Sequence, residues 1–348
     1  MVRLTIDGSP VEVKQGSTIL EACEQLGIEI PTLCHLKQLN PEGSCRMCVV
    51  EVEGARTLQI SCATKCTEGM TVTTNSERVF SFRRMLIELL LANHDTNCFS
   101  CPATGECKLY QYALDHGVER TRFPHFKSRH AKDESSEFFN YDPSKCILCR
   151  RCVRVCNDLQ VNHTLSLKNR GPDTWVGLPF DKLFKDSNCV SCGNCVSVCQ
   201  TGALTTKASK KYRAWEVTKV RTTCPYCGVG CQMDLLVKDD HVVGVEPAVG
   251  EANPGILCIK GKFAYNFINH PERLKTPLIR RNGILEPASW EEALDFVAEG
   301  LQAIREESGP DAIAGFASAR VTNEENYLFM KMMRVAVGTN NVDHCARL

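Results

Sequence analysis

The sequence predicts an α+β protein of several domains, and three observations lead to this prediction. Its 348 residues are enough for two or three compact domains with separate cores. Short alternating β-type runs occupy residues 1–75, whereas helical periodicity and a β-α-β pattern occupy residues 274–348. Between these ends, most of the 22 Cys recur in closely spaced groups.

Charge and composition exclude several functional classes. The 41 Lys and Arg balance the 41 Asp and Glu, so no nucleic-acid partner is expected. No apolar run reaches membrane-spanning length, and the N-terminus resembles neither a signal peptide nor a twin-arginine signal. The sequence therefore predicts a cytoplasmic protein without direct membrane insertion. In such a long chain, metal binding explains the Cys content better than disulfides.

Residues 1–77 are predicted to form a small β-grasp, ferredoxin-like domain. The runs VRLTI and VEVKQ flank Asp7-Gly8 and indicate a β-hairpin. Ser17–Leu26 is predicted to be a short helix, and CVVEVEG and MTVTT are predicted strands. A second helix then leads to His94, as indicated by apolar residues at helical spacing: Val79, Phe82, Leu86, Leu89 and Leu90.

Five further segments are predicted: a His and Cys module at 78–118, a linker at 119–140, a repeated Cys pattern at 141–212, a Cys module at 218–273 and the start of a doubly wound α/β domain at 274–348. In the last segment, capping boxes at Ser289–Glu292 and Thr322–Glu325 begin two helices. DAIAGFA and NNVDH are predicted to be buried strands on either side of the second helix, which gives a β-α-β unit.

Two ligand groups are predicted in the N-terminal third. The first lies in a long loop and consists of Cys34, Cys45, Cys48 and Cys62. It suits a [2Fe–2S] cluster, with a four-thiolate zinc site as the alternative and Cys66 as a possible substitute for Cys62. The second consists of His94, Cys98, Cys101 and Cys107. It suits a [4Fe–4S] cluster with one imidazole ligand, the alternative for His94 being a surface residue at a helix end.

The runs CILCRRCVRVC and CVSCGNCVSVC repeat one pattern. They match a two-cluster ferredoxin, in which the fourth Cys of each run binds the other cluster. The third group is therefore predicted to contain Cys146, Cys149, Cys152 and Cys199. The fourth is predicted to contain Cys189, Cys192, Cys195 and Cys156. Asn157 and Gln200 replace the Pro that often follows such runs, which leaves the next turn undetermined.

CPYCGVGC and ILCIKGKF indicate a fifth group, composed of Cys224, Cys227, Cys231 and Cys258. Nineteen Cys and His94 then form five sets of four, which predicts one [2Fe–2S] and four [4Fe–4S] clusters. Cys23, Cys66 and Cys345 remain and are predicted to be buried free thiols. So many one-electron centres in one chain are suited to conducting electrons between remote two-electron sites.

The order of these modules resembles the N-terminal region of three related families. These are the large iron–sulfur subunit of NADH:quinone oxidoreductase, the iron-only hydrogenases, and the catalytic subunit of cytoplasmic NAD-linked formate dehydrogenases. The quinone oxidoreductase subunit usually has one complete cluster run where this chain has two. A hydrogenase would contain H-cluster motifs, which this sequence lacks. CPYCGVGC, CIKGKFAYNFINHPERLKTPLIRR, SWEEALDFVA and NEENYLFMK look like the opening of a molybdopterin-dependent formate dehydrogenase.

The resemblance implies an oxidoreductase that carries electrons from formate oxidation to an NAD(H)-binding flavoprotein and a small [2Fe–2S] subunit, or to a hydrogenase or ferredoxin partner. It places Lys260 between the fifth cluster and a pterin, although a solvated surface Lys is the alternative, and it assigns Arg347 no role. In the family the Mo or W ligand follows CAR and one apolar residue, here at position 349. Molybdopterin guanine dinucleotide and a catalytic residue are thus expected only in the full-length protein, with a selenocysteine codon interpreted as a stop.

A standalone electron-transfer subunit of an NADH dehydrogenase or hydrogenase complex is the rival hypothesis. No dinucleotide fingerprint occurs in the sequence, so NAD is expected to bind a partner under either hypothesis.

Overall fold

The computed structural model describes residues 1–125, 130–207 and 212–346 and divides into two units, Met1–Glu216 and Val217–Leu348. Arg347 and short parts of the predicted linker and Cys repeat lie outside the described residues. None of the helices in the described ranges is long and apolar enough to cross a bilayer. The first unit contains four of the predicted ligand groups, and the second unit contains the fifth.

The first unit begins with a five-stranded sheet and a short helix. Its strands are β1 (Val2–Ile6), β2 (Ser9–Val13), β3 (Val49–Val52), β4 (Gln59–Ile60) and β5 (Thr71–Thr73). They follow the order β2-β1-β5-β3-β4, with β1 parallel to β5. The predicted hairpin is confirmed, because β1 and β2 are antiparallel and Asp7 and Gly8 have positive φ. Helix α1 (Ile19–Gln25) starts with a capping box between Thr18 and Glu21.

Two helices flank the second ligand group in the sequence. They are α2 (Glu77–Ala92) and α3 (Lys108–Asp115). The Ser76 hydroxyl caps α2, and the buried Arg83 guanidinium donates a hydrogen bond of 2.8 Å to the Val49 carbonyl. This bond ties α2 to β3. Apolar side chains from both helices and the loop before β3 share one core: Leu33, Met47, Ile87, Leu109 and Tyr112.

The Cys repeat is enclosed by short elements. These are β6 (Phe139–Tyr141), α4 (Arg151–Arg154), β7 (Ser166–Lys168), β8 (Trp175–Gly177), α5 (Asn194–Ser197) and β9 (Leu204–Thr206). β6 and β9 pair antiparallel and hold the two ends of the repeat together. The predicted linker, 119–140, is more than a tether, since Asp133 is buried and its carboxylate accepts the Phe184 N–H at 2.9 Å. The Asp133 carboxylate therefore helps to attach the segment 119–140 to the Cys repeat.

The second unit contains a three-stranded antiparallel sheet, a hairpin and a β-α-β unit. Its elements are β10 (Thr218–Thr223), β11 (Gln232–Lys238), β12 (His241–Pro247), α6 (Ile259–Phe263), β13 (Leu278–Arg281), β14 (Ile284–Pro287), α7 (Trp290–Ser308), β15 (Gly315–Ala317), α8 (Asn323–Met332) and β16 (Val342–His344). β15 and β16 are parallel and α8 lies between them in the chain, which confirms the predicted β-α-β connection.

Two expectations for the second unit are wrong. Thr322 and Glu325 form the predicted capping box, but Ser289 caps α7 by itself. Glu292 does not complete that box because its carboxylate pairs with Arg281 on β13. The strands are also less buried than predicted, since Phe316 on β15 is 83% exposed. Short parallel strands in a two-stranded sheet leave one face uncovered.

Candidate metal centres

The first ligand group lies between the loop after α1 and the ends of β3 and β4. Cys48 directly precedes β3, Cys62 follows β4, and both are buried together with Cys34. A hydrogen bond from the Cys45 thiol lowers the pKa of Cys34, and one from the Cys62 thiol lowers the pKa of Cys48. The four thiols therefore meet as two contacting pairs, with sulfurs able to stabilise negative charge.

The three remaining cysteines lie elsewhere. Cys23 and Cys66 are buried in the core of the sheet domain, where burial raises the pKa of Cys23 to about 12. Cys62, and not Cys66, is the residue that hydrogen-bonds to Cys48, so the structure favours Cys62 in the first group. Cys345 is exposed, with its Sγ 3.8 Å from Ser318 Oγ, which corrects the expectation of a buried thiol.

The second ligand group surrounds a cavity of about 620 Å³ beyond the C-terminal end of α2. Its walls include all four predicted ligands: His94, Cys98, Cys101 and Cys107. His94 is buried, and its Nδ1 has no hydrogen-bond partner among the described residues. Burial lowers the pKa of His94 to about 4, so the ring is neutral near pH 7. An orphaned imidazole nitrogen beside three thiols fits a metal cluster and does not fit a surface His.

The chain approaches this cavity closely at Gly202. A Cβ placed on Gly202 would lie 2.5 Å from Cys101 Sγ. We therefore expect Gly202→Ala to displace Cys101 and to lose about four iron atoms per chain after anaerobic reconstitution. Gly300→Ala on α7 is the control, because its Cβ would meet no described atom within 4 Å. Iron content per chain measures the outcome. If Gly202→Ala keeps all of its iron, close packing of Gly202 against Cys101 is not needed for cluster binding.

The two Cys runs contribute to each other's ligand groups. Burial raises the pKa of Cys152, and so do the charges of its neighbours Cys146, Cys149 and Cys199. Burial likewise raises the pKa of Cys195, and so do the charges of Cys192, Cys189 and Cys156, with a smaller contribution from Cys199. A small cavity of about 20 Å³ is lined by all four thiols of the fourth group. Cys199 thus lies with the first run and Cys156 with the second, in the interleaved arrangement that the sequence predicts.

The backbone repeats its conformation along with the Cys pattern. Leu148 and Ser191, each two residues after the first Cys of its run, have φ of 54° and 51°. Two residues further on, Arg150 and Gly193 have φ of 63° and 74°. These left-handed turns direct the Leu148 and Ser191 N–H groups to within 3.4 Å of the preceding Sγ atoms, those of Cys146 and Cys189. Such donors stabilise anionic sulfur and influence cluster potentials.

The fifth ligand group is built by the turn between β10 and β11 together with the start of α6. Cys224 is buried, and this burial raises its pKa. The charges of Cys258 and Cys227 raise that pKa further. The Cys224 N–H donates to the Cys231 carbonyl at 2.8 Å, which closes the turn. Lys260 lies on α6 two residues after Cys258, and its side chain is exposed.

A buried amide holds the two parts of this site together. The Asn253 side chain is 3% exposed, and its Oδ1 accepts the Gln232 N–H at 2.8 Å. Its Nδ2 donates to three carbonyl oxygens, those of Gln232, Ala248 and Ile256. Because Gln232 follows Cys231 and Ile256 is two residues before Cys258, Asn253 fixes the spacing between these ligands. Sequence reasoning missed this residue, which looks like an ordinary loop Asn.

Family models match successive parts of the chain. They are a 2Fe-2S iron-sulfur cluster binding domain at 1–77, an NADH-ubiquinone oxidoreductase-G iron-sulfur binding region at 83–122, a ferredoxin-like domain of NADH-quinone oxidoreductase subunit 3 at 136–205, a molybdopterin oxidoreductase Fe4S4 domain at 217–270 and a molybdopterin oxidoreductase domain at 273–348.

Individual relatives agree with these models. The alpha subunit of a Geobacter sulfurreducens NADPH-Fe(3+) oxidoreductase and a G-type subunit of the Rhizobium meliloti NADH-quinone oxidoreductase are each 40% identical over 100% of this chain. A Bacillus subtilis protein provisionally named formate dehydrogenase YrhE is 34% identical over 99% of it. A chain from the crystal structure of an NAD+-reducing [NiFe]-hydrogenase is 32% identical with a TM-score of 0.56, covering 60% of this chain and 88% of that one.

The chain belongs to the NADH-quinone oxidoreductase-G and molybdopterin oxidoreductase family. It spans 40% of the length of each of these three curated relatives. The parts of the chain that the family models match are [2Fe–2S], [4Fe–4S] and molybdopterin oxidoreductase domains. Within the described ranges, no set of three or more His, Cys, Asp or Glu is arranged to hold a single metal ion.

Several buried cations of this family member were missed by sequence reasoning. Lys145, Arg83 and Arg154 are all buried near the ligand groups. Arg151 is partly buried, and its Nε has no hydrogen-bond partner among the described residues. A signal was present, because the run CILCRRCVRVC contains three Arg while CVSCGNCVSVC contains none. The difference indicates that the two copies have different electrostatic surroundings.

Proposed function

We propose that the chain is the electron-transfer portion of a formate dehydrogenase catalytic subunit. In the complete complex, formate and NAD+ would be converted to CO2 and NADH, with NAD bound by a flavoprotein partner. The observation that carries the electron-transfer role is that the buried His94, with an unpartnered Nδ1, and three thiols line one cavity. The formate assignment is supported by the molybdopterin oxidoreductase matches and by the Bacillus subtilis relative.

In this proposal the first ligand group binds a [2Fe–2S] cluster and the other four groups bind [4Fe–4S] clusters. When bound, each cluster would accept and release one electron at a time. The chain's own residues would hold the thiolates and direct N–H groups at sulfur, and they bury some of the thiols, although Cys258 is exposed. His94 contributes a neutral ligand, which makes its site less negative and easier to reduce.

The proposal assigns Lys260 to the route between the fifth cluster and a pterin. A flexible cation is suited to a position between two anionic cofactors. The molybdopterin guanine dinucleotide, with Mo or W, belongs to the full-length protein. The partners of this protein would be an NAD(H)-binding flavoprotein and a small [2Fe–2S] subunit, or a hydrogenase or ferredoxin. We propose that the complex is located in the cytoplasm.

The second candidate is an electron-transfer subunit of a nicotinamide-linked dehydrogenase or hydrogenase complex that does not oxidise formate. It is supported by the relatives named as NADPH-Fe(3+) oxidoreductase and NADH-quinone oxidoreductase subunits, and by the hydrogenase structure. The Geobacter and Rhizobium relatives match the chain at higher identity than the protein provisionally named formate dehydrogenase YrhE does.

Metal analysis tests the electron-transfer role first. We expect about 18 iron atoms and as many acid-labile sulfides per chain after anaerobic reconstitution, from one [2Fe–2S] and four [4Fe–4S] clusters. Zinc in place of iron would contradict this role. In the complex that contains the full-length protein, formate should then reduce the cluster signals seen by EPR. Reduction by NADH or NADPH without reduction by formate would favour the second candidate.

A further inference from the structure

Lys145 is next to a predicted ligand of the third group in the sequence, but its side chain lies beside the second group. It directly precedes Cys146, and the residue is 5% exposed. Its Nζ lies 2.9 Å from Oδ2 of Asp95, the residue next to His94. A Cβ placed on Gly202 would lie 3.2 Å from Lys145 Cδ and 2.5 Å from Cys101 Sγ, so the two side chains converge there.

The backbone holds this arrangement from both sides. The Asp95 N–H donates to the Ser144 carbonyl at 2.9 Å, and the Thr201 hydroxyl donates to the Lys145 carbonyl at 2.7 Å. The backbone around Lys145 is therefore tied to both the second group and the end of the second Cys run. The ammonium position is fixed by the fold and does not depend on a flexible surface side chain.

Asp95, the Cys101 thiol and Asp142 are the charged or ionisable groups that act on the Lys145 ammonium. Asp95 is its ion-pair partner, with a side chain that is 43% exposed. Asp142 is a second carboxylate nearby, and it also pairs with Lys132 at 3.4 Å. A buried cation is screened less by salt than an exposed one.

We propose that Lys145 is a positioning residue that raises the reduction potential of the cluster at the second ligand group, and that Asp95 is its opposing counter-charge. The inference rests on the proposed ligation of that cluster by His94 and three Cys. Reduction adds one electron and hence one negative charge to the cluster. A nearby cation stabilises that charge, whereas a nearby carboxylate destabilises it.

The two members of the ion pair should consequently have opposite effects. Lys145→Gln should lower the one-electron equilibrium constant for reduction about tenfold, equivalent to about 59 mV. Asp95→Asn should raise the same constant several-fold, with a smaller effect because Asp95 is partly exposed. Lys145→Arg keeps the charge and should leave the potential near that of the unchanged protein. A purely structural ion pair would shift both Gln and Asn variants in the same direction.

The test uses the whole 348-residue chain, reconstituted anaerobically and poised with dithionite and mediators. Pulsed EPR identifies the His-ligated cluster by its nitrogen hyperfine coupling, which should change on 15N-histidine labelling. Lys132→Gln is the matched control, since it removes a lysine that is 61% exposed from an ion pair with Asp142, and it should not shift the potential.

Opposite shifts in Lys145→Gln and Asp95→Asn would support the inference, and shifts of equal sign or no shift would overturn it. If Lys145→Gln fails to hold its cluster, Asp95→Asn should still raise the potential while Lys145→Arg leaves it unchanged, and an unchanged or lowered potential in Asp95→Asn would overturn the inference. Absence of nitrogen coupling in the unchanged protein would instead contradict the proposed His94 ligation, and with it this inference. The iron content would still test the wider electron-transfer role separately.

Discussion

Replacing Cys156 and Cys189 together by Ser should remove one [4Fe–4S] cluster, whereas replacing Cys156 and Cys146 together should remove two. The reason is the interleaved arrangement, in which Cys156 lies with the second Cys run and Cys199 with the first. Cys156 and Cys189 would then serve one cluster, while Cys156 and Cys146 would serve different clusters. Pairing by sequence run would give the reverse result.

Iron and sulfide content per chain measures this difference directly. The Cys156→Ser/Cys189→Ser variant should lose about four iron atoms, and Cys156→Ser/Cys146→Ser about eight. The single Cys156→Ser variant is the control and should also lose about four. A loss of eight from Cys156→Ser/Cys189→Ser and four from the other pair would contradict the interleaved ligation.

Asn253→Ala should destabilise the second unit by about 3 kcal/mol, since several buried hydrogen bonds, each worth about 1 kcal/mol net, are lost at once. The substitution leaves the Gln232 N–H and the Ala248 and Ile256 carbonyls without their partner. It should also loosen Cys231 relative to Cys258, so the cluster of the fifth group should be lost as well. Few other described side chains in this unit connect so many backbone groups.

Urea unfolding followed by circular dichroism measures the change in stability, and iron content measures the cluster. Asn269→Ala is the control, because Asn269 is exposed, and its effect should stay within about 0.5 kcal/mol. Asn253→Asp keeps the acceptor but removes the amide donors, so it should resemble Asn253→Ala. An unchanged midpoint in both Asn253 variants would show that the Asn253 side chain does not stabilise this site.

Candidate ligand groups could be proposed from the sequence because most cluster ligands lie in short runs. The exchange of Cys156 and Cys199 between the two runs followed from the two-cluster ferredoxin pattern and not from spacing alone. The Asp7-Gly8 hairpin and the capping box at Thr322 were also predictable, since each depends on residues within one turn. The capping box predicted at Ser289 failed when Arg281, on another element, took the Glu292 carboxylate.

The sequence by itself predicted which residues could bind clusters and how many clusters the chain could hold. The tertiary structure decided what surrounds them. Lys145 pairs with Asp95 across 50 residues, and Asn253 bonds to Gln232 across 21. Such contacts leave no periodic signal, because they form only when folding brings distant backbone segments together. The reduction potential of a cluster depends on nearby charge and burial. Such potentials are therefore set more by the tertiary structure than by the Cys motifs.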